Sequence, residues 1–166
     1  NNLSDAPQVL TVYKEVEDYW HGTDKAEGLK KWDVLNDVTI MLCDDNFGNM
    51  RTLPTKEDKN RKGGYGMYYH FDYHGGPTSY EWVNTVPLTK TWEQMNMAYE
   101  HGIDNIWIVN VGDLKPMEMN ISYFLDMAYD YDIWGTNGKD KITEYRKNWV
   151  KQQFGENTSD SLVNEM

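Results

Sequence analysis

The chain has little cysteine, little positive charge and no long hydrophobic run. Its one cysteine, Cys43, excludes a disulfide within the chain and a thiolate metal cluster. With 16 basic against 27 acidic residues, the net charge is −11, which repels a phosphate backbone or an anionic membrane surface. No apolar run approaches the ~20 residues that cross a bilayer. We therefore expect neither nucleic acid nor a membrane as a partner.

Several motifs are also absent. The opening residues, "NNLSDAPQVL", have neither the basic nor the apolar region of a signal peptide and do not begin with Met. We therefore expect a mature, processed or excised chain, and its compartment stays undetermined at this point. No glycine-rich phosphate loop follows the first predicted strand, and no serine nucleophile elbow appears.

Aromatic side chains, in contrast, are abundant. The 166 residues are 14% aromatic, with 7 Trp and 12 Tyr, a content that disordered chains do not have. The length corresponds to about one domain. We expect most of these rings to pack in a core, although such rings also stack on sugars and other planar ligands.

The apolar periodicity predicts helices and short strands in alternation. The predicted strands are 37–43, 65–71 and 103–111, and the predicted helices are 7–20, 89–101, 121–130 and 140–154, with a short tail helix near Ser159. The strands are apolar without alternation, which is typical of a parallel sheet covered on both faces. The predicted fold class is therefore α/β, with parallel strands and helices. Because three such strands are few for a domain, we interpret them as part of a (β/α)8 TIM-type barrel.

All three predicted strands end in polar sequence: "CDDNFGN", "HFDYHGGP" and "NVGDLKP". In parallel α/β folds, ligands bind at the loops that follow the carboxyl ends of the strands. Three polar strand ends therefore predict one shared site.

The first of these ends carries Asp44, Asp45 and Asn46, with Arg51 a few residues further on. A carboxylate here is a candidate general base or an acceptor for sugar hydroxyls. The alternative is an Asx turn that only ends the strand. Adjacent side chains point to opposite sides of an extended chain, so we expect at most one of the two aspartates to face the site centre.

The second strand end contains His70, Asp72 and His74, which share one face for as long as the chain stays extended. This H-x-D-x-H pattern suits a metal, hydrogen bonds to a ligand, or a structural role. Tyr73, Tyr80 and Trp82 in or beside the same loop either stack on a sugar ring or anchor the loop.

The third strand end supplies Asn110 and Asp113, with Lys115 and Glu118 beyond them. Lys115 and Arg51 pair either with a substrate carboxylate or with neighbouring acidic residues.

The segments "CDDNFGNMRTLP", "YYHFDYHGGPTSYEWVNT", "WEQMNMAYEHGIDNIWIVNVGDLKPME" and, more loosely, "WVKQQFG" resemble glycoside hydrolase family 115, the xylan α-1,2-glucuronidases. The resemblance covers roughly residues 7–155. It implies a large multidomain protein whose (β/α)8 barrel removes glucuronic or 4-O-methyl-glucuronic acid from xylan with inversion, without a metal or organic cofactor. The partners that it implies are glucuronoxylan or aldouronic acid oligosaccharides, and the location it implies is secreted or periplasmic in a bacterium.

On the same resemblance, residues 1–136 correspond to the later part of the catalytic barrel, and residues 137–166 to the start of a following helical region. The first half of the barrel is then missing. We therefore expect an isolated chain of this length to be inactive or nearly so, and to associate, for example as a homodimer, through exposed barrel edges.

An inverting glycosidase needs one carboxylic acid and one carboxylate base. The candidates for these catalytic roles are Asp45, Asp72, Asp113 and Glu118, with Asp45 favoured as the base. The candidates for substrate binding are Asp44, Asn46, Arg51, His70, Tyr73, Trp82, Asn110 and Lys115. Two other readings stay open: a carbohydrate-binding module without catalysis, and a metal-binding α/β module.

Overall fold

A computed structural model describes residues 6–73, 75–76 and 84–165 of the chain. In chain order the elements are β1 (Val9–Val12), α1 (Glu15–His21), β2 (Gly22–Thr23), β3 (Ala26–Glu27), β4 (Thr39–Cys43), β5 (Tyr65–His70), α2 (Leu88–Glu100), β6 (Ile103–Asn110), α3 (Glu118–Tyr129), α4 (Tyr131–Trp134), α5 (Gly138–Phe154) and α6 (Asp160–Glu165). Single 3-10 turns lie at Leu29–Lys31, Asp33–Leu35 and Asp58–Asn60.

Four strands form one sheet in the order β1-β4-β5-β6, and every neighbouring pair is parallel. The parallel α/β class predicted from the sequence is confirmed. In the described part of the chain the sheet is open, with β1 and β6 at its two edges. This is the arrangement expected of one part of a (β/α)8 barrel. The strands β2 and β3 form a separate two-residue hairpin.

Alternation along β5 separates two environments. Tyr65, Met67 and Tyr69 are almost fully buried and join the hydrophobic core under the helices, where the Tyr69 ring stacks on Phe124 at 6.1 Å between centroids. Tyr68 and His70 point to the opposite face, because side chains alternate along a strand. The helix-covered face therefore stabilises the fold, and the other face is available for polar groups.

The prediction of one helix over 7–20 is wrong. Residues Val9–Val12 form the edge strand β1, and only Glu15–His21 is helical. Between them Lys14 has φ +45°, a backbone conformation that ends the strand and is incompatible with a continuous helix. The sheet consequently has four strands rather than three, and the predicted loop 21–36 contains the β2–β3 hairpin and two 3-10 turns.

The other predicted elements are found with small shifts at their ends. The helix predicted to begin at a Thr89 cap begins at Leu88 after Pro87, without a side-chain cap, and ends before Gly102 at φ +82°. The helix α5 packs against α2 and α3. The division at residues 136 and 137 stays a prediction. None of the helices in the described ranges is both long and apolar enough to cross a membrane.

Candidate functional site

The carboxyl ends of the four parallel strands lie along one edge of the sheet. The strand β4 leads to Asp44, β5 to Asp72 and β6 to Asp113, as the sequence predicts. The strand β1 adds Tyr13 and Lys14 to the same edge. The polar residues that the sequence places on separate segments therefore meet at this edge.

The centre of the edge is a buried pair formed by Asp44 and His70. Asp44 has no exposed surface and His70 has 3% exposed. The Asp44 carboxylate accepts hydrogen bonds from the backbone N–H groups of Asn46, Gly48 and His70, each at 3.0 Å. Its Oδ1 also lies 2.5 Å from Nδ1 of the His70 ring. Because the carboxylate accepts, Nδ1 is the donor of this pair, and in the tautomer with its proton on Nδ1 the Nε2 atom is an acceptor.

Asp45, the carboxylate that the sequence favoured as a base, is tied into its own loop. It accepts hydrogen bonds from the backbone N–H groups of Phe47 and Asn49 and from Nδ2 of Asn49, at 2.6–3.0 Å. Burial raises the pKa of Asp45, but the hydrogen bonds from Asn49 and Phe47 outweigh burial and hold the pKa below its usual value. The Asx turn, weighed as the alternative at this position, is what the geometry shows.

Aromatic rings surround His70. The Tyr68 ring meets it edge-on at 4.8 Å and the Tyr73 ring at 6.0 Å, while the Tyr13 ring lies parallel to it at 6.3 Å between centroids. The Tyr13 hydroxyl donates to Oδ1 of Asn46 at 2.6 Å, across two strand ends. These contacts fix an aromatic wall with hydroxyl and amide groups on it.

The end of β6 is joined to that wall. Nδ2 of Asn110 donates to the Tyr68 hydroxyl at 3.0 Å, and the carbonyl of Asn110 accepts from the backbone N–H groups of Phe71 and Asp72. The Asp72 side chain is 7% exposed and packs against Gly112. A Cβ on Gly112 would lie 2.3 Å from Oδ2 of Asp72, so only glycine leaves room for the carboxylate.

The predicted basic residues are bound to acidic residues of the chain itself. Arg51 pairs with Glu17 at 2.6 Å, and Lys115 pairs with Glu118 at 2.7 Å. The hydrogen bond from Lys115 lowers the pKa of Glu118, and the same bond raises the pKa of Lys115. Both pairs lie at the exposed surface, where such pairs contribute little to stability.

The structure thus gathers Asp44, Asn46, His70, Asp72, Tyr73 and Asn110 at the strand-end edge. Asp113 is exposed beyond it, Glu118 begins α3, and Trp82, Tyr80 and His74 lie outside the described residues. Among the residues that are described, no group of three or more His, Cys, Asp and Glu could hold a metal ion.

Sequence reasoning missed the contribution of β1. Tyr13, Lys14 and Glu15 follow that strand, but the single helix predicted over 7–20 hid the strand end. Glu15 and Asp113 are exposed carboxylates without an ion pair or hydrogen bond to another described side chain. The signal that could have found this segment is the run Val9, Leu10, Thr11 and Val12, which is apolar and β-branched.

Comparison with known proteins agrees with the sequence resemblance. The profile of Glycosyl hydrolase family 115 matches residues 1–166. No curated protein matches the chain. A solved structure of a family 115 4-O-methyl-α-glucuronidase with specificity for decorated arabinogalactans superposes with a TM-score of 0.84 at 38% sequence identity. The match covers 98% of this chain and 20% of that one, so the chain spans about a fifth of the length of this relative. The chain belongs to glycosyl hydrolase family 115.

Proposed function

We propose that the chain is a segment of the catalytic barrel of an α-glucuronidase. The enzyme removes glucuronic or 4-O-methyl-glucuronic acid side chains from a plant polysaccharide by inverting hydrolysis. The observation that carries the proposal is the strand-end edge, where a buried Asp44–His70 pair, an aromatic wall and two amide side chains come together in a member of this family. Glucuronoxylan is the substrate implied by the sequence resemblance. Decorated arabinogalactan is the second candidate, because the solved relative is specific for it.

The side chains at the edge divide into positioning and binding roles. Asp44 positions His70 by fixing its ring, and we propose that Nε2 of His70 accepts a hydrogen bond from a sugar hydroxyl. Asn46, Tyr73 and Asn110 are placed to hold further hydroxyl groups. The faces of the aromatic rings suit the C–H groups of a pyranose ring.

Two of the candidate catalytic carboxylates are engaged by other groups of the chain. Asp45 has three hydrogen bonds that would break before it activated water, and Glu118 is paired with Lys115. We rank Asp72 first among the candidates that this chain supplies, because it is 7% exposed and follows His70 by two residues at the end of β5. The other member of the pair belongs to strands outside this segment.

The decisive experiment assays the full-length protein and the 166-residue chain side by side. We expect the full-length protein to release glucuronic acid from glucuronoxylan or from decorated arabinogalactan, with an inverted anomer as the first product by NMR. The isolated chain should be inactive or nearly so, since an open four-stranded sheet offers one side of a pocket.

Two variants of the full-length protein refine the assay. Replacing a catalytic carboxylate, as in Asp72→Asn, should lower kcat about 100- to 10,000-fold. The matched control Asp58→Asn lies in a remote 3-10 turn and should leave kcat unchanged. Absence of uronic acid release from both polysaccharides would refute the proposed function, and full activity of the isolated chain would refute its incompleteness.

A further inference from the structure

Lys14 is a cation at the strand-end edge, and no acidic residue of the described ranges neutralises its charge. Two other basic side chains near this edge pair with carboxylates, Arg51 with Glu17 and Lys115 with Glu118, whereas Lys90 donates to the carbonyl of Phe47 at 2.8 Å. In the part of the chain that the structure describes, no carboxylate lies within ion-pair distance of Lys14. An unneutralised cation is notable in a chain of net charge −11.

Two tyrosine rings hold the Lys14 ammonium in place. Its Nζ donates to the Tyr73 hydroxyl at 2.7 Å and lies 4.8 Å and 4.7 Å from the ring centroids of Tyr13 and Tyr73. Tyr13 is itself fixed by its hydrogen bond to Asn46, and the Tyr73 ring contacts His70. The cation therefore stands against the aromatic wall described above, at the solvent-accessible surface of the chain.

The phenol groups around Lys14 favour its charged form. Hydrogen bonding to Tyr13 and then to Tyr73 raises the pKa of the Lys14 ammonium above its usual value. An ammonium has three N–H donors, and one of them is used by Tyr73. With Tyr13 as a second partner, at least one donor is left for a ligand.

The backbone at Lys14 is held in a conformation that lysine rarely adopts. Its φ of +45° and ψ of −108° lie outside the regions that L-residues populate without strain. Backbone strain of this kind is concentrated at functional sites. The turn that creates it is also what directs the Lys14 side chain to Tyr73.

We infer that Lys14 binds the carboxylate of the uronic acid and so distinguishes it from a neutral hexose. This inference rests on the proposed function and assigns the acid group of its substrate to one side chain. A carboxylate placed next to Nζ gains a charge-assisted hydrogen bond, and the ring of the sugar then lies against the aromatic wall. The competing interpretation is that Lys14 only anchors the loop that carries Tyr73.

The test compares glucuronic acid with glucuronamide, its neutral isostere, in calorimetric titrations of the full-length protein. The variant Lys14→Met removes the charge and keeps the length of the side chain, and Lys90→Met is the matched control at the same edge. We expect Lys14→Met to weaken glucuronic acid about 10- to 100-fold, with glucuronamide affected by less than about threefold. Lys90→Met should change neither, and Lys14→Arg should retain the preference for the acid.

The outcomes separate the inference from the function on which it rests. Equal weakening of both ligands by Lys14→Met would show an anchoring role and overturn the inference, as would no weakening of either. A wild-type protein that releases uronic acid but binds the acid and the amide equally would overturn the inference alone. A wild-type protein that neither releases nor binds uronic acid would refute both.

A second readout needs no loss-of-charge variant, in case Lys14→Met does not fold. Lysines of the wild-type protein are methylated with carbon-13, and the Lys14 signal is assigned by its absence in Lys14→Arg. We expect that signal to shift with glucuronic acid and not with glucuronamide. An unmoved Lys14 signal under saturating glucuronic acid would overturn the inference.

Discussion

At the scale of single residues, the Asp44 carboxylate is the group on which the local structure depends most. It is fully buried and accepts hydrogen bonds from three backbone N–H groups while contacting the His70 ring. We expect Asp44→Ala to lower the free energy of unfolding by about 3–5 kcal/mol, because it leaves the buried backbone N–H donors and the His70 ring without their acceptor. Urea denaturation measures this. The control Asp45→Ala, in the same loop but partly exposed, should cost about 0.5–2 kcal/mol.

A loss of equal size for the two variants would contradict this difference between neighbours. The sequence could not show which of these two aspartates is buried. Alternation predicted that Asp44 and Asp45 point to opposite sides, and in the structure Asp44 contacts His70 while Asp45 is hydrogen-bonded within its own loop. The choice between them depends on the donors of β5 and of the loop, which are distant in sequence from each other.

The lowered pKa of Asp45 has a consequence for acid conditions. A carboxyl whose pKa is lower in the folded state than its unfolded value of about 3.9 contributes stability above that value. The contribution is lost as the pH falls through the lower folded pKa. We expect the Asn49 backbone amide resonance to move with the protonation of Asp45, at a pH below the ordinary aspartate pKa of about 3.9. In Asp45→Asn this movement should vanish; its persistence would assign the transition to another group.

The Cys43 thiol should be unreactive towards thiol reagents in the folded protein. Burial, followed by the charge of Asp44, raises the pKa of the Cys43 thiol to about 12. The thiolate is the reactive form, and an exposed thiol has a pKa near 8.5. We expect no reaction with a thiol-specific disulfide reagent at pH 8 until denaturant unfolds the chain, followed by one thiol per chain. Rapid labelling under native conditions would contradict the burial of this side chain.

At the scale of elements, the sequence predicted most of the fold. Three of the four parallel strands and the helices α2, α3 and α5 follow from apolar periodicity and glycine stops. The strand β1 was missed because Val9, Val12 and Val16 fit a helical spacing as well as they fit a strand followed by a helix. What separates the two is the positive φ of Lys14, which arises from tertiary contacts and leaves no signature in the sequence.

The turn after β6 is an element whose geometry requires glycine. Gly112 has φ +57°, and a Cβ there would meet Oδ2 of Asp72 at 2.3 Å. We expect Gly112→Ala to reduce the free energy of unfolding by about 1–3 kcal/mol and to displace Asp72. If Asp72 is catalytic, kcat of the full-length protein falls as well.

The matched control is Gly76→Ala. Among the described residues, no heavy atom lies within 4 Å of a Cβ built there, and the position has no positive φ. It should change stability by less than about 0.5 kcal/mol in thermal or urea unfolding. Similar losses at the two positions would remove the argument that the Asp72 contact sets the requirement for glycine.

At the scale of the whole molecule, the open sheet governs how the isolated chain behaves. Strand β6 has one neighbour, β5, and its other edge is unpaired within the described residues. Ile108 of that strand is 44% exposed, although it lies beside Tyr68 on the face that a complete barrel would enclose. Unpaired edges with apolar side chains recruit further strands. We therefore expect the 166-residue chain to associate at micromolar to millimolar concentration, by light scattering.

A charge on the edge strand distinguishes association by strand pairing from nonspecific hydrophobic association. Ile108→Lys places a lysine on β6, a change that blocks strand addition in natural sheets, and should shift the population towards monomer. Leu125→Lys is the control, because Leu125 is 54% exposed on α3, away from the sheet edge. It should leave the association unchanged. If both variants dissolve the assembly equally, helix surfaces rather than strand edges hold it together. If the unmodified chain is a stable monomer, the open edge is protected by the chain itself, and the remaining strands of the barrel are not needed to cover it.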